Sequence, residues 1–474
     1  MSRISAVLIV VAVWAVVYLP ALGSLAIKGE EGRRILPAIR MLETGDYIVP
    51  QVGNNPYFRK PPLVNWLVAG SFKIFGVRNE WTARLPSALA VLAVAIAFVT
   101  IARASLGSGG STVAALIWLT NVGMIEKGRL IEIEALYVSL SGLAIIFWLS
   151  FWNQKKSQWL VWIPPAIFLG LGMLAKGPTL LVFFYGIVLA VLWRTKNWQL
   201  LFQPAHFVAL GIMFAILAAW AVPFAKTTTM ELAMHKWSIQ FSERLKGTNF
   251  QFLNWIQNVP RALVYFLPWL TLVPFIRFSK FHDDMRRQLA HGLAWGTLVP
   301  FLAVNLVPGA VARYSMPSLV PASWLLAMTF AGGALRWPGK LHVGNERAWA
   351  KVATAFVGLA LIVGGIGYPL AALALHNRQQ VTRVAATVNG IVPASEKLYV
   401  VNPHYQPVLF YVKAPLEYVH SITDLPVETH YFLVRAEKRK EAATTEKWNP
   451  RRTHELARVR DYSKREMILF EVSS

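Results

Sequence analysis

The chain has 474 residues, of which 55% are hydrophobic and 15% charged, and its formal net charge at pH 7 is +23. Ordinary soluble domains carry about 25% charged residues, so the composition excludes a typical soluble protein and predicts a polytopic membrane protein. Cysteine is absent, which excludes disulfides and cysteine nucleophiles, and the scattered bases show no nucleic-acid-binding signature, so nucleic acid is not expected as a partner.

Long apolar runs predict an α-helical polytopic membrane protein with about eleven transmembrane helices. The runs cover residues 5–26, 85–103, 111–125, 134–152, 159–175, 178–193, 205–225, 260–277, 290–308, 315–335 and 348–375. If the N-terminus is cytoplasmic, alternate connections rich in Lys and Arg all fall on the cytoplasmic face, as the positive-inside rule requires. We therefore expect residues 1–375 to form a transmembrane domain with its N-terminus in the cytoplasm.

The first predicted external loop, residues 27–84, begins with two adjacent carboxylates, Glu30 and Glu31. Apolar residues at helical spacing then predict an amphipathic helix over 32–43 that lies at the membrane interface, and Gly45 ends it. The helix dipole favours carboxylates at a helix start, so capping explains either acid alone about as well as chemistry does. An acid pair beside a lipid interface favours chemistry on a lipid-linked substrate.

A proline pair follows in the same loop. Pro61 and Pro62 cannot continue a helix, and we expect them to fix Lys60 near the interface before an apolar helix over 63–75. Many bases fall on the external face, although topology rules favour fewer there, which indicates bound phosphate. A lysine that snorkels towards water explains Lys60 equally well when it is considered alone.

Two later segments place charges at the external mouths of predicted spans. Glu132 and Glu134 lie where a span begins; deeper burial would cost roughly 2.5–3.5 kcal/mol each, so they are expected to face a wet cavity. Lys176 stands in a short turn between two spans. The external loop 226–260, rich in aromatic residues, is interpreted as a lid or acceptor platform, although its His235 is more simply an ordinary loop residue.

The C-terminal residues change pattern. From about residue 396, short apolar runs alternate with prolines, asparagines and charged clusters, which predicts the strands of a small α/β domain. The predicted strands cover 398–401, 408–412, 431–434 and 467–470, after a helix over 376–395. Because the predicted helix count is odd, residues 376–474 are expected to form an extracytoplasmic, periplasmic domain.

The order of these motifs resembles one family. In chain order they are Glu-Glu-x-Arg from Glu30, Gly-Asp-Tyr-x-Val-Pro from Gly45, Asn-x-Pro-Tyr-x-x-Lys-Pro-Pro-Leu from Asn54, Ala-Arg-Leu-Pro-Ser-Ala from Ala83, Glu-Ile-Glu-Ala-Leu from Glu132, Ala-Lys-Gly-Pro from Ala175 and Ala-Arg-Tyr-x-x-Pro from Ala312. They are similar to the aminoarabinose transferase (ArnT-like) and protein O-mannosyltransferase group of GT-C glycosyltransferases, over residues 1 to about 335. The resemblance implies an enzyme that transfers a sugar from a polyprenyl-phosphate carrier, usually with inversion, to an acceptor outside the inner membrane.

The resemblance also implies roles for individual residues. The family's two acids are usually Asp, and their positions carry Glu30, implied to be the general base on the acceptor hydroxyl, and Glu134, implied to position the sugar or support that base; Glu31 completes the predicted catalytic set. The predicted donor-phosphate cations are Lys60, Lys176, Arg313, Arg59 and Arg244. The residues predicted to support the acceptor or the local structure are Arg33, Glu132, Tyr314 and His235.

Departures from the family pattern leave several alternatives open. Replacement of both acids by Glu indicates a different sugar or acceptor, and a catalytically inactive scaffold is the competing interpretation. Arg59 stands where relatives often place Glu, which makes a metal site there doubtful, so no metal site is predicted, no cofactor is certain, and a divalent cation is left open.

The substrates and the location are predicted only by class. The expected partners are a polyprenyl-phosphate-linked sugar donor, membrane lipids, and a lipid or glycan acceptor such as lipid A, lipopolysaccharide core or another glycolipid, in a bacterial inner membrane. A protein O-glycosyltransferase is one alternative. A lipid or sugar transporter or flippase is another, although its ionisable groups would more typically lie near the bilayer midplane.

Overall fold

The structure is a computed structural model that describes residues 1–227, 231, 234–235, 237–239, 242, 250–281, 283–336, 345–403, 406–438, 453–460 and 465–472. The chain forms two compact units. We call the first the helical unit; it comprises Met1–Pro20, Arg59–Leu63 and Leu85–Pro369. The second, the mixed unit, comprises Ala21–Phe58, Val64–Arg84 and Leu370–Ser474. Much of the predicted external loop therefore groups with the C-terminal residues rather than with the spans.

Most helices lie wholly or largely in the helical unit. In chain order the α-helices given for the described residues are α1 Arg3–Tyr18, α2 Gly32–Thr44, α3 Leu63–Phe75, α4 Glu80–Thr100, α5 Arg103–Thr120, α6 Val122–Lys127, α7 Ile133–Asn153, α8 Gln158–Ala175, α9 Leu180–Thr195, α10 Pro204–Thr227, α11 Phe252–Ile256, α12 Asn258–Val264, α13 Asp284–Leu306, α14 Leu319–Ala331, α15 Asn345–Ile362, α16 Tyr368–His376 and α17 Gln380–Ile391. A short π-helical turn, Val363–Gly367, joins α15 to α16.

Six helical segments in the described part of the chain are long and apolar enough to cross a membrane: Glu80–Thr100, Ile133–Asn153, Gln158–Ala175, Pro204–Thr227, Asp284–Leu306 and Arg347–Ile391. Three shorter apolar helices, α1, α3 and α9, accompany them. These segments confirm the prediction of a polytopic α-helical membrane protein. The predicted number of about eleven spans is not reached by this criterion.

One predicted span is wrong. Residues 260–277 contain the end of α12 and then a 3₁₀ segment, Trp269–Phe275, rather than one continuous helix. Pro268 and Pro274 lie in this stretch, and proline lacks the N–H that an α-helix interior requires. The run is apolar enough to span a membrane but does not have the backbone of a spanning helix.

Helices α9 and α13 pack at backbone distance in the helical unit. A Cβ atom added at Gly292 of α13 would lie 2.9 Å from the Cα atom of Val191 in α9, and one added at Gly296 would lie 2.8 Å from the Cα atom of Ile187. Glycine is therefore required at both positions, because a side chain at either would collide with main chain. Small residues commonly permit such close approach between membrane helices.

The mixed unit contains a five-stranded sheet with the strand order β4-β3-β5-β7-β6. Its strands are β3 Leu398–Val401, β4 Leu416–Val419, β5 Tyr431–Arg435, β6 Thr453–Arg460 and β7 Glu466–Val472, and a small hairpin pairs β1 Gln51–Val52 with β2 Asn55–Pro56. Strand β3 runs parallel to both β4 and β5, whereas β7 is antiparallel to β5 and β6. A small α/β domain is thus confirmed in outline.

Three predicted strands correspond to β3, β5 and β7, but the predicted strand at 408–412 is wrong. Pro407–Phe410 is a 3₁₀ turn, and the edge strand β4 follows it instead. Strand β6 was not predicted, because its sequence is largely polar and lacks an apolar run. The amphipathic helix predicted over 32–43 is α2, which ends at Gly45 with a left-handed φ of 74°.

Candidate active site

The helical unit brings together three of the predicted site residues, each from a different segment. Glu134 lies in the first turn of α7, Lys176 caps the C-terminus of α8, and Arg313 lies in a 3₁₀ segment, Ala312–Ser318. Lys176 Nζ is 3.2 Å from Glu134 Oε1, and Arg313 Nε is 3.0 Å from the same oxygen. One carboxylate thus links two cations that are far apart in sequence.

The local backbone explains how these groups are presented. Helix α8 stops at Ala175 because Gly177 takes a φ of 112° and Pro178 follows; glycine tolerates that φ and proline does not continue the helix. Lys176 is therefore held in a tight turn. Glu134 sits at the positive end of the α7 dipole, which favours its negative charge.

The three side chains differ in exposure. Those of Glu134 and Lys176 are 9% and 11% exposed, whereas that of Arg313 is 35% exposed. The ammonium of Lys176 also lies over the rings of Tyr137 and Tyr314, 5.0 Å and 4.6 Å from their centroids, an arrangement that stabilises a desolvated cation. Two positive groups and one negative group leave this cluster with a formal charge of +1, which suits an anion.

A second ionic group lies immediately before α7. Lys127 Nζ is 2.8 Å from Glu126 Oε1 and 3.0 Å from Glu132 Oε2. Burial opposes the charge of Lys127, but the two carboxylates outweigh burial and raise its pKa. Glu132 is the N-cap residue of α7, and its carboxylate pairs with Lys127. No role was predicted for Lys127. The signal that could have identified it is its position between two acids, Glu126 and Glu132, in the sequence.

The Lys127→Met variant should lose stability in a pH-dependent way. Burial already raises the pKa of Glu132 above its ordinary value of 4.5, and removal of the neighbouring cation would raise it further. A buried acid with a raised pKa destabilises the folded state at pH values above the ordinary pKa of 4.5, because the unfolded state ionises there more readily than the folded state does. We expect the loss in melting temperature to be greatest near pH 7 and to narrow as the pH falls towards 4.5. A loss that is equal at both pH values would contradict this interpretation.

The two carboxylates of the first external segment lie in the mixed unit and have different surroundings. Glu31 is 1% exposed, and Arg84 donates to both of its oxygens, with N–O distances of 2.9 Å. The same guanidinium donates to the backbone carbonyls of Leu22, Leu25 and Ala26. A carboxylate enclosed in this way holds the segment together, and the catalytic role predicted for Glu31 stays a prediction.

Glu30 differs from its neighbour in being accessible. Its side chain is 38% exposed, and its Oε2 accepts a hydrogen bond from Arg33 Nη1 at 2.7 Å. Arg33, predicted as a supporting residue, therefore contacts the carboxylate of Glu30 directly. An ionised carboxylate that is held by one arginine and open to solvent is able to accept a proton.

For the remaining predicted residues the structure gives only the exposure of the side chain and the unit to which the residue belongs. Lys60 is half-buried and Arg59 exposed, both in segment 59–63 of the helical unit, and His235 is exposed. Arg244 lies outside the described residues, as does much of the predicted lid. Over the described ranges, no three His, Asp or Glu side chains approach one another as metal ligands would.

The chain is similar to known proteins in sequence and in structure. Residues 59–222 match the family described as dolichyl-phosphate-mannose-protein mannosyltransferase. An undecaprenyl phosphate-α-4-amino-4-deoxy-L-arabinose arabinosyl transferase 2 of Pseudomonas fluorescens (strain Pf0-1) is 24% identical over 373 residues, which cover 77% of this chain and 66% of the relative. The protein of the same name from Proteus mirabilis (strain HI4320) is 25% identical over 76% of this chain and 65% of its own length. The chain thus spans slightly less than two thirds of these relatives.

The solved structures extend the likeness over nearly the whole chain. ArnT from Cupriavidus metallidurans bound to undecaprenyl phosphate superposes with a TM-score of 0.72 at 18% identity, covering 98% of this chain and 97% of that one. The apo form of the same protein gives a TM-score of 0.68 at 17% identity, with the same coverage. These matches confirm the resemblance indicated by the motifs, and the chain has the fold of ArnT from Cupriavidus metallidurans.

Proposed function

We propose that this protein is a glycosyltransferase that moves a sugar from a polyprenyl-phosphate carrier to an acceptor outside the bacterial inner membrane. The observation that carries the proposal is the cluster of Glu134, Lys176 and Arg313, with its excess positive charge at the end of a spanning helix. The names of the curated relatives, which are undecaprenyl phosphate aminoarabinose transferases, support it. So does the solved ArnT complex with undecaprenyl phosphate.

The charge of the cluster fits the chemistry of the donor. A polyprenyl phosphate joined to a sugar is a phosphodiester with one negative charge. During transfer the bond between the anomeric carbon and the phosphate oxygen breaks, the oxygen keeps the electron pair, and the phosphate becomes more negative. Lys176 and Arg313 would stabilise this developing charge, with Lys60 and Arg59 as further candidates for the same phosphate.

We propose Glu30 as the general base. It would accept the proton of the acceptor hydroxyl as the acceptor oxygen bonds to the anomeric carbon, while Arg33 keeps the carboxylate oriented. Glu134 would hold the phosphate cations and orient the sugar. Glu31 has no part in this step, because both its oxygens are engaged by Arg84.

The Glu30→Gln variant tests the base. It preserves the shape of the side chain and removes its basicity, so transfer should fall by about 10²-fold or more. Glu30→Asp should retain more activity than Glu30→Gln because it keeps the carboxylate. The measurement is the initial rate of sugar transfer from polyprenyl-phosphate donor in proteoliposomes. If Glu30→Gln transferred sugar at the parental rate, Glu30 would not be the general base.

Single-cysteine labelling tests the proposed topology and the count of about eleven spans. The chain is naturally free of cysteine, so a membrane-impermeant maleimide reports one introduced position at a time. We expect Asn55, Thr248 and Ser474 to be labelled from the periplasm, and Ser157 and Lys340 only after the membrane is opened. Thr248, Lys340 and Ser474 lie outside the described residues. Labelling of Ser474 from the cytoplasm would require an even number of spans.

The acceptor is best identified by comparing cells with and without the protein. Mass spectrometry of lipid A, core oligosaccharide and the glycolipid fraction should show one species that carries an additional sugar only when the protein is present. A sugar found on protein instead would assign a protein O-glycosyltransferase. Movement of the carrier lipid across the membrane with no transferred sugar would assign a flippase and overturn the proposal.

A further inference from the structure

A cavity lies in the helical unit, and none of Glu134, Lys176 and Arg313 lines it. It has a volume of about 790 Å³ and lies between α5, the end of α14 and α15. This volume falls in the usual range of ligand pockets, about 300–1,000 Å³. Its walls are mainly apolar, with Leu106, Val113, Phe330, Trp349 and Val357 among them.

Helix α14 separates this cavity from the proposed active site. Arg313 lies in the 3₁₀ segment immediately before α14, and Arg336, which lines the cavity, lies shortly after α14 ends. Thirteen helical residues at about 1.5 Å per residue extend roughly 20 Å. The cavity is therefore at the other end of the helical unit, the end that the positive-inside rule predicts to be cytoplasmic.

The mouth of the cavity is basic. Arg336 lines the cavity. Arg277 follows Ile276, whose backbone pairs with that of Leu335, so the two arginines lie on adjacent antiparallel segments. Arg347 and Lys351 are exposed on α15, the helix that supplies one wall.

The acids of the neighbouring segments are Asp283, Asp284 and Glu346, fewer than the bases, and Glu346 directly precedes Arg347. Asp283 and Asp284 pair with Arg286 and Arg287 on their own helix. Within the part of the chain that the structure describes, the side chain of Arg336 makes no ion pair. An anionic group at the mouth would complement this excess of positive charge.

Glycines of α5 form part of the cavity wall. Gly107 has a φ of 74° and interrupts the regular geometry of α5, and Gly109 follows it. A Cβ atom added at either glycine would meet no atom within 4 Å. The space over this stretch is thus open to an apolar chain that lies along α5.

From the cavity, its apolar walls and its basic mouth, we infer a binding site for an anionic phospholipid of the cytoplasmic leaflet. One acyl chain lies along the glycines of α5, and the phosphate-bearing headgroup meets Arg336. The occupant is a lipid of the surrounding bilayer rather than the polyprenyl donor, because α14, about 20 Å long, separates Arg336 from the segment of Arg313, and one donor phosphate does not reach both.

Native mass spectrometry of the full chain tests this site with two lipids that have the same acyl chains, dioleoylphosphatidylglycerol and dioleoylphosphatidylcholine. Arg336→Met removes the cation and keeps an apolar side chain, so it should weaken phosphatidylglycerol binding about fivefold and leave phosphatidylcholine binding unchanged. Gly109→Leu places a side chain in the cavity and should lower the retention of both lipids.

Two matched controls separate the site from general effects. Gly211→Leu introduces the same side chain on α10, where an added Cβ also meets nothing within 4 Å, and Lys156→Met removes an exposed cation from the same predicted face. Both should bind lipid as the parent does, and all four variants should keep the parental melting temperature. Equal phosphatidylglycerol binding by Arg336→Met and the parent would overturn the inference, as would displacement of phosphatidylglycerol by polyprenyl phosphate at equimolar concentration.

Discussion

Replacement of Lys176 by methionine is expected to lower sugar transfer by about 10²–10³-fold, the usual effect of removing one fixed donor that stabilises developing charge. Methionine keeps the apolar stem and removes only the ammonium, which lies over the rings of Tyr137 and Tyr314. Arg313→Met should have an effect of the same kind, because both cations share Glu134. The measurement is the transfer rate at saturating acceptor, together with binding of polyprenyl phosphate.

A double-mutant cycle separates phosphate binding from simple pairing with Glu134. If Lys176 only neutralises the buried carboxylate, Glu134→Gln should rescue Lys176→Met, because the uncompensated charge is then gone. If Lys176 binds the donor phosphate, the double variant should remain as slow as Lys176→Met. Lys156→Met is the control for loss of an exposed lysine. Recovery to within threefold of Glu134→Gln alone would contradict the phosphate role.

The largest loss of stability is expected when the buried ion pair of the mixed unit is broken. Glu31→Gln leaves the guanidinium of Arg84 without its carboxylate at a position that is 1% exposed, and removal of one partner from a buried pair typically costs about 3–5 kcal/mol. Thermal unfolding in detergent, followed by intrinsic fluorescence, should show a large decrease in melting temperature. Replacement of both partners should not restore stability, because Arg84 also satisfies three backbone carbonyls.

Glu43→Gln is the matched control for this loss. Glu43 pairs with Arg40 and Arg78 at 3.6 Å and 3.8 Å, but its side chain is 44% exposed, and exposed pairs contribute about 0–1 kcal/mol. Its melting temperature should stay close to that of the parent. If Glu31→Gln kept the parental melting temperature and lost activity, Glu31 would return to the catalytic set.

The sequence predicts more of the fold than of the site, and the reasons are physical. Apolar length identifies spans because a bilayer requires it, but it does not show that the backbone of 260–277 is broken by prolines. Short apolar runs identify the buried strands β3, β5 and β7, whereas β6 at the sheet edge carries polar residues on both faces and gives no such signal.

The site depends on contacts between distant residues. The sequence offers Glu30 and Glu31 as equivalent neighbours, yet Arg84, 53 positions away, encloses one and leaves the other accessible. Likewise, nothing local to Lys176 indicates that Arg313 will share its carboxylate. Motif order suggests which residues matter, whereas the role of each acid depends on which guanidinium reaches it.

The glycine contact between α9 and α13 bears on how a lipid carrier reaches its site from the bilayer. A long isoprenoid tail must pass laterally between helices, and passage is easiest where bulky side chains can swing aside. At Gly292 and Gly296 the backbone of α13 meets the backbone of α9, so rotation of side chains does not open a gap at these two points. We therefore expect the gate for the carrier at another helix boundary, and crosslinks that tie α9 to α13 to leave turnover intact.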